Sequence, residues 1–366
     1  MKVIKKMLNP GDTIGILGGG QLGRMMALAA SKLGLKTHVY CPDPDSPAFD
    51  VTAFHTCADY ENEEALEDFA NSVARVTYEF ENIPSATVEF LKKRLLVLPD
   101  EEALRTSQDR LTEKNFFRSI DIQTASFYEV SSQEDLREAV EFIGLPALLK
   151  TRRFGYDGKG QVFLKSIEDV DGAFERIGSQ PAILESYVPF VKEISVIAAR
   201  NEKGQIVTYD IAENVHKDQI LKTTTVPADI NEGIAREARK IGETVADALD
   251  YVGVLAVELF LLSETHDHRL VANEMAPRVH NSGHWTESAC LISQFEQHIR
   301  AVAGWPLGNT DRHSDVVMTN LIGEDIEARQ DLLAKYGTAF HDYGKSETRA
   351  GRKMGHINRI TPKKHG

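Results

Sequence analysis

A short apolar strand over residues 13–17 runs straight into a glycine turn and then a helix, and this junction constrains the N-terminal fold. Gly18, Gly20 and Gly23 fit G-x-G-x-x-G, and Asp43 lies 20 residues beyond Gly23. The spacing predicts a helix over 21–34, with Leu22, Met25, Met26, Ala29, Ala30 and Leu33 on its core-facing side. A strand over 36–40 follows, then a helix near 62–72, a strand over 73–78 and the turn EFENIP. Strands and helices alternating in this way predict a doubly wound α/β domain to about residue 100. The glycines and Asp43 also satisfy a dinucleotide fingerprint, so a nicotinamide-dependent oxidoreductase is one reading. The physics of such loops is broader, because glycines let backbone N–H groups and a helix N-terminus approach any anion or polar ligand.

The middle of the chain changes character to an α+β pattern. Leu136, Ala139, Val140 and Ile143 make one helix face, and LPALLK reads as a strand ending in Lys150. The stretch FGYDGKG, residues 154–160, then puts Gly155, Gly158 and Gly160 within a few residues of one another. With Lys159 inside it and Lys150, Arg152 and Arg153 before it, such a flap suits nucleotide phosphates. It is not a Walker A loop, since G-x-x-x-x-G-K-[ST] and its helix are missing, and Asp-Gly also makes an ordinary hairpin turn.

Two glutamates carry more weight. In GVLAVELFLL, strand alternation puts Glu258 on one face with Val254, Ala256 and Phe260. In RLVANEMAP, the same alternation puts Glu274 on a face with Leu270 and Ala272. A carboxylate inside an apolar strand costs several kcal/mol unless it is paired. Two facing carboxylates, with Asn273 beside one, would bind Mg²⁺ through oxygen and share it with substrate phosphates; the plainer reading is one buried arginine pairing one glutamate. PRVHNSGHW follows directly and offers Arg278, His280, Asn281 and His284. His280 and His284 are four apart with no evident third ligand, so zinc is not expected there. Lys345 and Arg352, near the end, suit a phosphate as point charge and fork.

Composition narrows the class. A chain of 366 residues predicts two or three domains, and a net charge of −13 excludes a nucleic-acid or membrane-surface binder unless basic residues cluster. Cys41, Cys57 and Cys290 have no metal spacing and read as free thiols of a reducing cytosol. No signal peptide or membrane span is predicted, so a cytoplasmic protein is expected.

DRLTEK, LLKTRRFGYDGKGQ, ESYVPFVKEIS, AVELF and NEMAPRVHNSGHWT occur in the order and spacing of the ATP-grasp superfamily. Together with GGGQLGR, YEFENI and GRKMGH, they closely resemble the ATP-dependent 5-(carboxyamino)imidazole ribonucleotide synthase family from about residue 12 to about 360. The resemblance implies an ATP-grasp fold with a Rossmann-like pre-ATP-grasp domain (1–104), an ATP-grasp domain (105–300, flap about 122–188) and a small C-terminal domain (301–366). The family continues with a further helical stretch where this chain stops at TPKKHG, so that last domain is expected to be shortened.

The resemblance also implies the substrates ATP, bicarbonate and 5-aminoimidazole ribonucleotide, and a homodimer. Arg110, Lys150 and the flap residues Gly155, Tyr156, Asp157, Gly158, Lys159 and Gly160 match positions on the ATP phosphates. Glu185, Ser186, Tyr187 and Val188 match the adenine hinge, Glu193 the ribose contact with His216 nearby, and Asn273 a further nucleotide contact. Glu258 and Glu274 match Mg²⁺ ligands. Tyr156, Asp157, Lys345 and Arg352 match positions holding the ribonucleotide, with Gln21 and Glu79 in the same pocket. Arg278, His280 and Asn281 match the bicarbonate and carboxyphosphate position. Asp157 is expected to receive the amine proton, with Arg278 and Lys345 also catalytic. A formate-dependent glycinamide ribonucleotide transformylase would share the ATP half and differ in the acceptor.

Overall fold

The computed structural model describes residues 7–155, 159–266 and 269–363. Three sheets organise it. The N-terminal sheet is parallel, ordered Phe54–Thr56, Lys36–Tyr40, Thr13–Leu17, Arg75–Tyr78, Leu96–Val97. Helices Gln21–Lys32, Glu63–Ser72 and Ser85–Lys92 link these strands. The first helix stops two residues short of the expected 34, because Leu33 takes the cap and Gly34 turns left-handed at φ 76°. The second is capped by Asn62, whose side chain accepts from Ala65 N–H at 3.0 Å.

An antiparallel sheet fills the centre, running from Leu270–Ala276 through Gly253–Leu261, Lys192–Arg200, Ala212–Lys217 and Ile220–Val226 to Ser314–Ile322, Lys353–Pro362 and Thr338–Asp342. Helix Glu232–Ala248 covers one face with Ile234, Ala238 and Val245. Helix Gln294–Val302 covers the other, and helix Gln21–Lys32 of the N-terminal unit joins the same core. An isoleucine or valine side chain there, taken fully out of water, contributes about 1.5–3 kcal/mol. The third sheet, ordered Phe127–Val130, Ala182–Ser186, Ala147–Thr151, Gln161–Leu164, carries helix Gln133–Ile143 on one side.

The central sheet corrects one expectation. Glu258 pairs directly with Glu274, but the register then slips, and Leu259 pairs with Ala272. The extra residue, Asn273, is a bulge that moves Glu274 to the other face from Leu270 and Ala272. Those two pack with Leu255, Val257 and Leu259 beneath helix Glu232–Ala248. Glu274 instead shares the face of Glu258, because directly paired residues point the same way.

The chain's last strands are held by close backbone contact. A Cβ on Gly355 would lie 2.4 Å from the His341 carbonyl oxygen of the neighbouring strand. Gly355→Ala is therefore expected to destabilise the protein by about 1–3 kcal/mol, read as a lower midpoint in thermal or urea unfolding. An unchanged midpoint would show that strand Thr338–Asp342 is free to move away.

Candidate active site

A cavity of about 770 Å³ opens where the three sheets meet. Strands Gly253–Leu261 and Leu270–Ala276 supply Glu258, Phe260, Asn273 and Glu274. The third sheet adds Leu148 and Lys150, and the turn after it Gly155 and Lys159. The N-terminal unit contributes Gln21, Glu79 and Glu81, and the segment after residue 276 contributes Arg278, His280 and Asn281.

Cations and carboxylates alternate at one end. Arg110 bonds Glu274 at 3.1 Å and the Gly155 carbonyl at 3.3 Å. Lys150 lies 3.1 Å and Lys114 3.5 Å from the buried Glu185. Burial opposes ionisation of Glu185, but Lys114, Lys150 and Arg110 hold its carboxyl down at about 2. Burial likewise drives Lys150 below its ordinary value, with Glu185 opposing. Glu258 is lifted to about 7 by burial and by the Glu274 carboxylate facing it. Burial also works against charge on Glu274, yet the bonded Arg110 keeps it below the usual range. Beyond these groups, Leu148, Phe190 and Phe260 form an apolar end, where Phe190 stacks on Phe260 at 4.7 Å. Glu193 and His216 pair beside it; burial opposes protonation of the imidazole, and the Glu193 carboxylate raises it.

At the other end Arg278 engages Glu81 with two donors, one at 3.1 Å. Burial opposes the Glu81 charge, and Arg278 holds that carboxyl at about 2. His280 lies 3.3 Å from Glu258, and burial with the Arg278 charge pushes it down to about 3, so it is a neutral imidazole. Asn281 exchanges two amide hydrogen bonds with Asn320, at 3.0 and 2.8 Å.

The glycine fingerprint meets a different partner from the one its spacing suggests. Glu79 accepts from the N–H groups of Gly20 and, at 2.6 Å, Gly23. A Cβ on Gly18 would lie 2.4 Å from Glu79 Cγ. The helix N-terminus is thus already filled by a carboxyl group of the chain itself, where a dinucleotide would place its pyrophosphate; burial raises the Glu79 pKa, and the Gly23 and Gly20 N–H groups oppose that. That removes the physical basis of the nicotinamide reading.

Several expected residues stand back from the cavity. Ser186 N–H donates to Ser126 O at 2.8 Å and Tyr187 N–H to Pro146 O at 3.1 Å, while the Val188 carbonyl accepts from Phe190. Gly160 closes the hairpin, its carbonyl bonded by Thr151 N–H at 2.8 Å. Lys345 donates to the Lys353 carbonyl at 2.8 Å and Arg352 to that of Glu347 at 2.8 Å. Tyr156, Asp157 and Gly158 lie outside the described residues. Sequence reasoning missed Glu81, Glu113, Lys114, Phe190 and Lys353, which are single residues without diagnostic spacing. All five sit inside quoted motifs, Glu113 and Lys114 in DRLTEK, Glu81 in YEFENI, Phe190 in ESYVPFVKEIS and Lys353 in GRKMGH, so those motifs carried a usable signal. Glu113 is buried, accepts from Met275 N–H at 2.7 Å, and is raised to about 8 by burial and by Glu274.

Family models match most of the chain: a ribonucleotide synthetase preATP-grasp domain over 12–108, an ATP-grasp domain over 115–295 and a phosphoribosylaminoimidazole carboxylase C-terminal domain over 316–365. The N5-carboxyaminoimidazole ribonucleotide synthase of Brucella melitensis is 53% identical over 361 residues, 98% of this chain and 99% of that protein. The chain belongs to the N5-carboxyaminoimidazole ribonucleotide synthase family. The synthase of Bacillus subtilis is 43% identical over 96% of this chain and 92% of its own length. A crystal structure of an N5-carboxyaminoimidazole ribonucleotide synthetase with ADP superposes with a TM-score of 0.94 at 43% identity, covering 98% of this chain and 94% of that one. The Aspergillus clavatus synthase complexed with ADP and 5-aminoimidazole ribonucleotide superposes at 0.89 and 30% identity, covering 96% and 94%. As a member of this family the chain is an ATP-grasp ligase.

Proposed function

We propose that this chain uses ATP and bicarbonate to carboxylate the exocyclic amine of 5-aminoimidazole ribonucleotide. The products are N5-carboxyaminoimidazole ribonucleotide, ADP and phosphate, a step of purine biosynthesis carried out in the cytoplasm. The observation that carries it is one cavity with the facing Glu258 and Glu274 between two cationic ends, Arg110 with Lys150 and Arg278. A bicarbonate oxygen attacks the γ-phosphorus and ADP leaves, giving carboxyphosphate. Carboxyphosphate releases phosphate and CO₂, and the amine nitrogen bonds the CO₂ carbon and sheds a proton.

Arg110, Lys150 and Lys159 neutralise charge on the transferred phosphoryl group. The apolar end of Leu148, Phe190 and Phe260 takes the base, beside Glu193 and His216. Arg278, neutral His280 and Asn281 hold bicarbonate and carboxyphosphate, and Gln21 and Glu79 face the acceptor. Asp157 as acceptor of the amine proton, and Tyr156 beside it, rest on the family resemblance. The homodimer and the domain divisions near residues 104 and 300 rest on the same ground.

The donors fit Mg²⁺. Glu258 and Glu274 present oxygen ligands from directly paired positions, and the burial and mutual repulsion that raise Glu258 are what a dication relieves. When bound there, Mg²⁺ supplies charge neutralisation for the phosphates.

The deciding experiment is ADP release with ATP, Mg²⁺ and bicarbonate, with and without 5-aminoimidazole ribonucleotide. Strong stimulation by the ribonucleotide is expected. Stimulation instead by formate with glycinamide ribonucleotide would overturn the acceptor.

Lys345, which stands just outside the cavity and whose place on the ribonucleotide phosphate rests on the family resemblance, gives a pH test of that role. Burial and the nearby Arg352 pull its ammonium down to about 8, with Glu79 opposing. The charge is present below pH 8 and lost above it, so kcat/KM for the ribonucleotide should fall about tenfold per unit there. Lys345→Arg should flatten that limb, since guanidinium stays charged. A wild-type limb unchanged in the variant would remove Lys345 from the phosphate site.

A further inference from the structure

We propose that Glu287, His341 and His356 form a second metal site, distinct from the ATP cavity, that binds one zinc-class divalent ion. His341 and His356 are direct partners across strands Thr338–Asp342 and Lys353–Pro362, with rings stacked at 4.3 Å and 8°. Glu287 reaches them from the short helix Thr286–Ala289. One ligand atom from each of the three lies within 4.8 Å of the others.

Two of these side chains carry an atom that lacks the bond burial demands. His356 is fully buried; its Nδ1 meets the Tyr343 hydroxyl at 2.9 Å, and its Nε2 has no hydrogen-bond partner among the described residues. Glu287 Oε2 is buried and equally without a hydrogen bond, with His341 Nδ1 3.4 Å away. Buried polar atoms are almost always satisfied, so two orphans on side chains of one such cluster mark a missing partner. A proton could sit between one pair of them; a single cation serves all three once the partly exposed His341 ring turns out of its stack on His356, since an imidazole binds a metal in its own plane.

The chemistry selects the kind of ion. Two imidazoles and a carboxylate are a zinc set, whereas Mg²⁺ prefers oxygen alone. Tetrahedral ligands about 2.1 Å from zinc stand about 3.4 Å apart, the separation Glu287 and His341 already have. Zinc needs neutral imidazoles, and burial lowers both His341 and His356. Tyr343 on the far nitrogen of His356 is the outer support that metal-bound histidines use. His341 and Glu287 keep 28% and 23% side-chain exposure, which leaves an entry path and room for a water ligand. The bound ion would tie the last two strands to the helix that follows the His280–Asn281 segment, and so brace one wall of the cavity.

The test uses the full chain, stripped with a chelator and titrated with Zn²⁺ in the absence of ATP and Mg²⁺. Calorimetry and bound-metal analysis should give one ion per chain, with a rise in the melting midpoint. Co²⁺ in its place should show visible bands of low-coordinate nitrogen and oxygen ligation. His341→Ala and Glu287→Gln, both at partly exposed positions, should weaken Zn²⁺ binding at least about 100-fold and abolish the midpoint rise. Glu274→Gln, in the ATP cavity, should leave the Zn²⁺ affinity as it is. No bound ion in the wild type, an undiminished affinity in His341→Ala, or loss of the ion in Glu274→Gln would each overturn the proposal.

Discussion

Glu274→Gln should lower ribonucleotide-stimulated ADP release about a thousandfold, about 4 kcal/mol of transition-state stabilisation. The substitution keeps the shape of the side chain and removes one of two directly paired carboxylates. It also takes the partner from Arg110, whose guanidinium lies 3.1 Å from Glu274. The fold should tolerate this, because Glu274, though deep in the protein, turns 41% of its side chain into the cavity, and the like-charge pair with Glu258 is relieved. Turnover and thermal unfolding of the same preparation separate the two effects. Partial recovery of rate as Mg²⁺ is raised would identify a ligand defect, since a weakened site refills by mass action. Near-wild-type turnover at ordinary Mg²⁺ would sink the assignment of Glu274.

The cavity makes clear which parts of such a site are legible before the chain is folded. Helix and strand positions in the N-terminal unit follow from local periodicity, and Gly34 closes the first helix where glycine adopts φ above zero cheaply. Glu258 reads correctly from alternation because its strand is regular through Val254 and Ala256. Glu274 does not, because the Asn273 bulge is set by pairing with a strand that precedes it by a whole turn, not by the residues around it. The glycine fingerprint misleads for a related reason. Its N–H groups need an acceptor, and the carboxyl of Glu79, 56 residues beyond Gly23, supplies one. Charges such as Glu81, Lys114 and Lys353 lie inside the motifs YEFENI, DRLTEK and GRKMGH, but their individual roles emerge only through neighbours remote in sequence. The zinc-class triad shows the same limit, since a separation of 54 positions between Glu287 and His341 hides their 3.4 Å contact.

Arg278→Lys isolates the acceptor end of the cavity. Lysine keeps the charge and loses the fork, while Arg278 in the free protein spends two donors on Glu81 and a third, at 3.2 Å, on the Val279 carbonyl. A planar, carboxylate-like anion is matched by that fork, and an ammonium replaces it by a single point. Ribonucleotide-stimulated turnover should therefore fall about 100-fold. KM for ATP should change less than about threefold, because Arg110 and Lys150 at the opposite end are untouched. The ratio of carboxylated product to ADP should also drop, as carboxyphosphate held by fewer bonds loses its CO₂ to water. Glu81→Gln is the companion measurement. It frees the guanidinium from a carboxylate held at about 2, so KM for bicarbonate should decrease rather than rise. If Arg278→Lys instead raised KM for ATP and left product per ADP at its wild-type value, Arg278 would belong to the nucleotide end, and bicarbonate would have to be held by other groups.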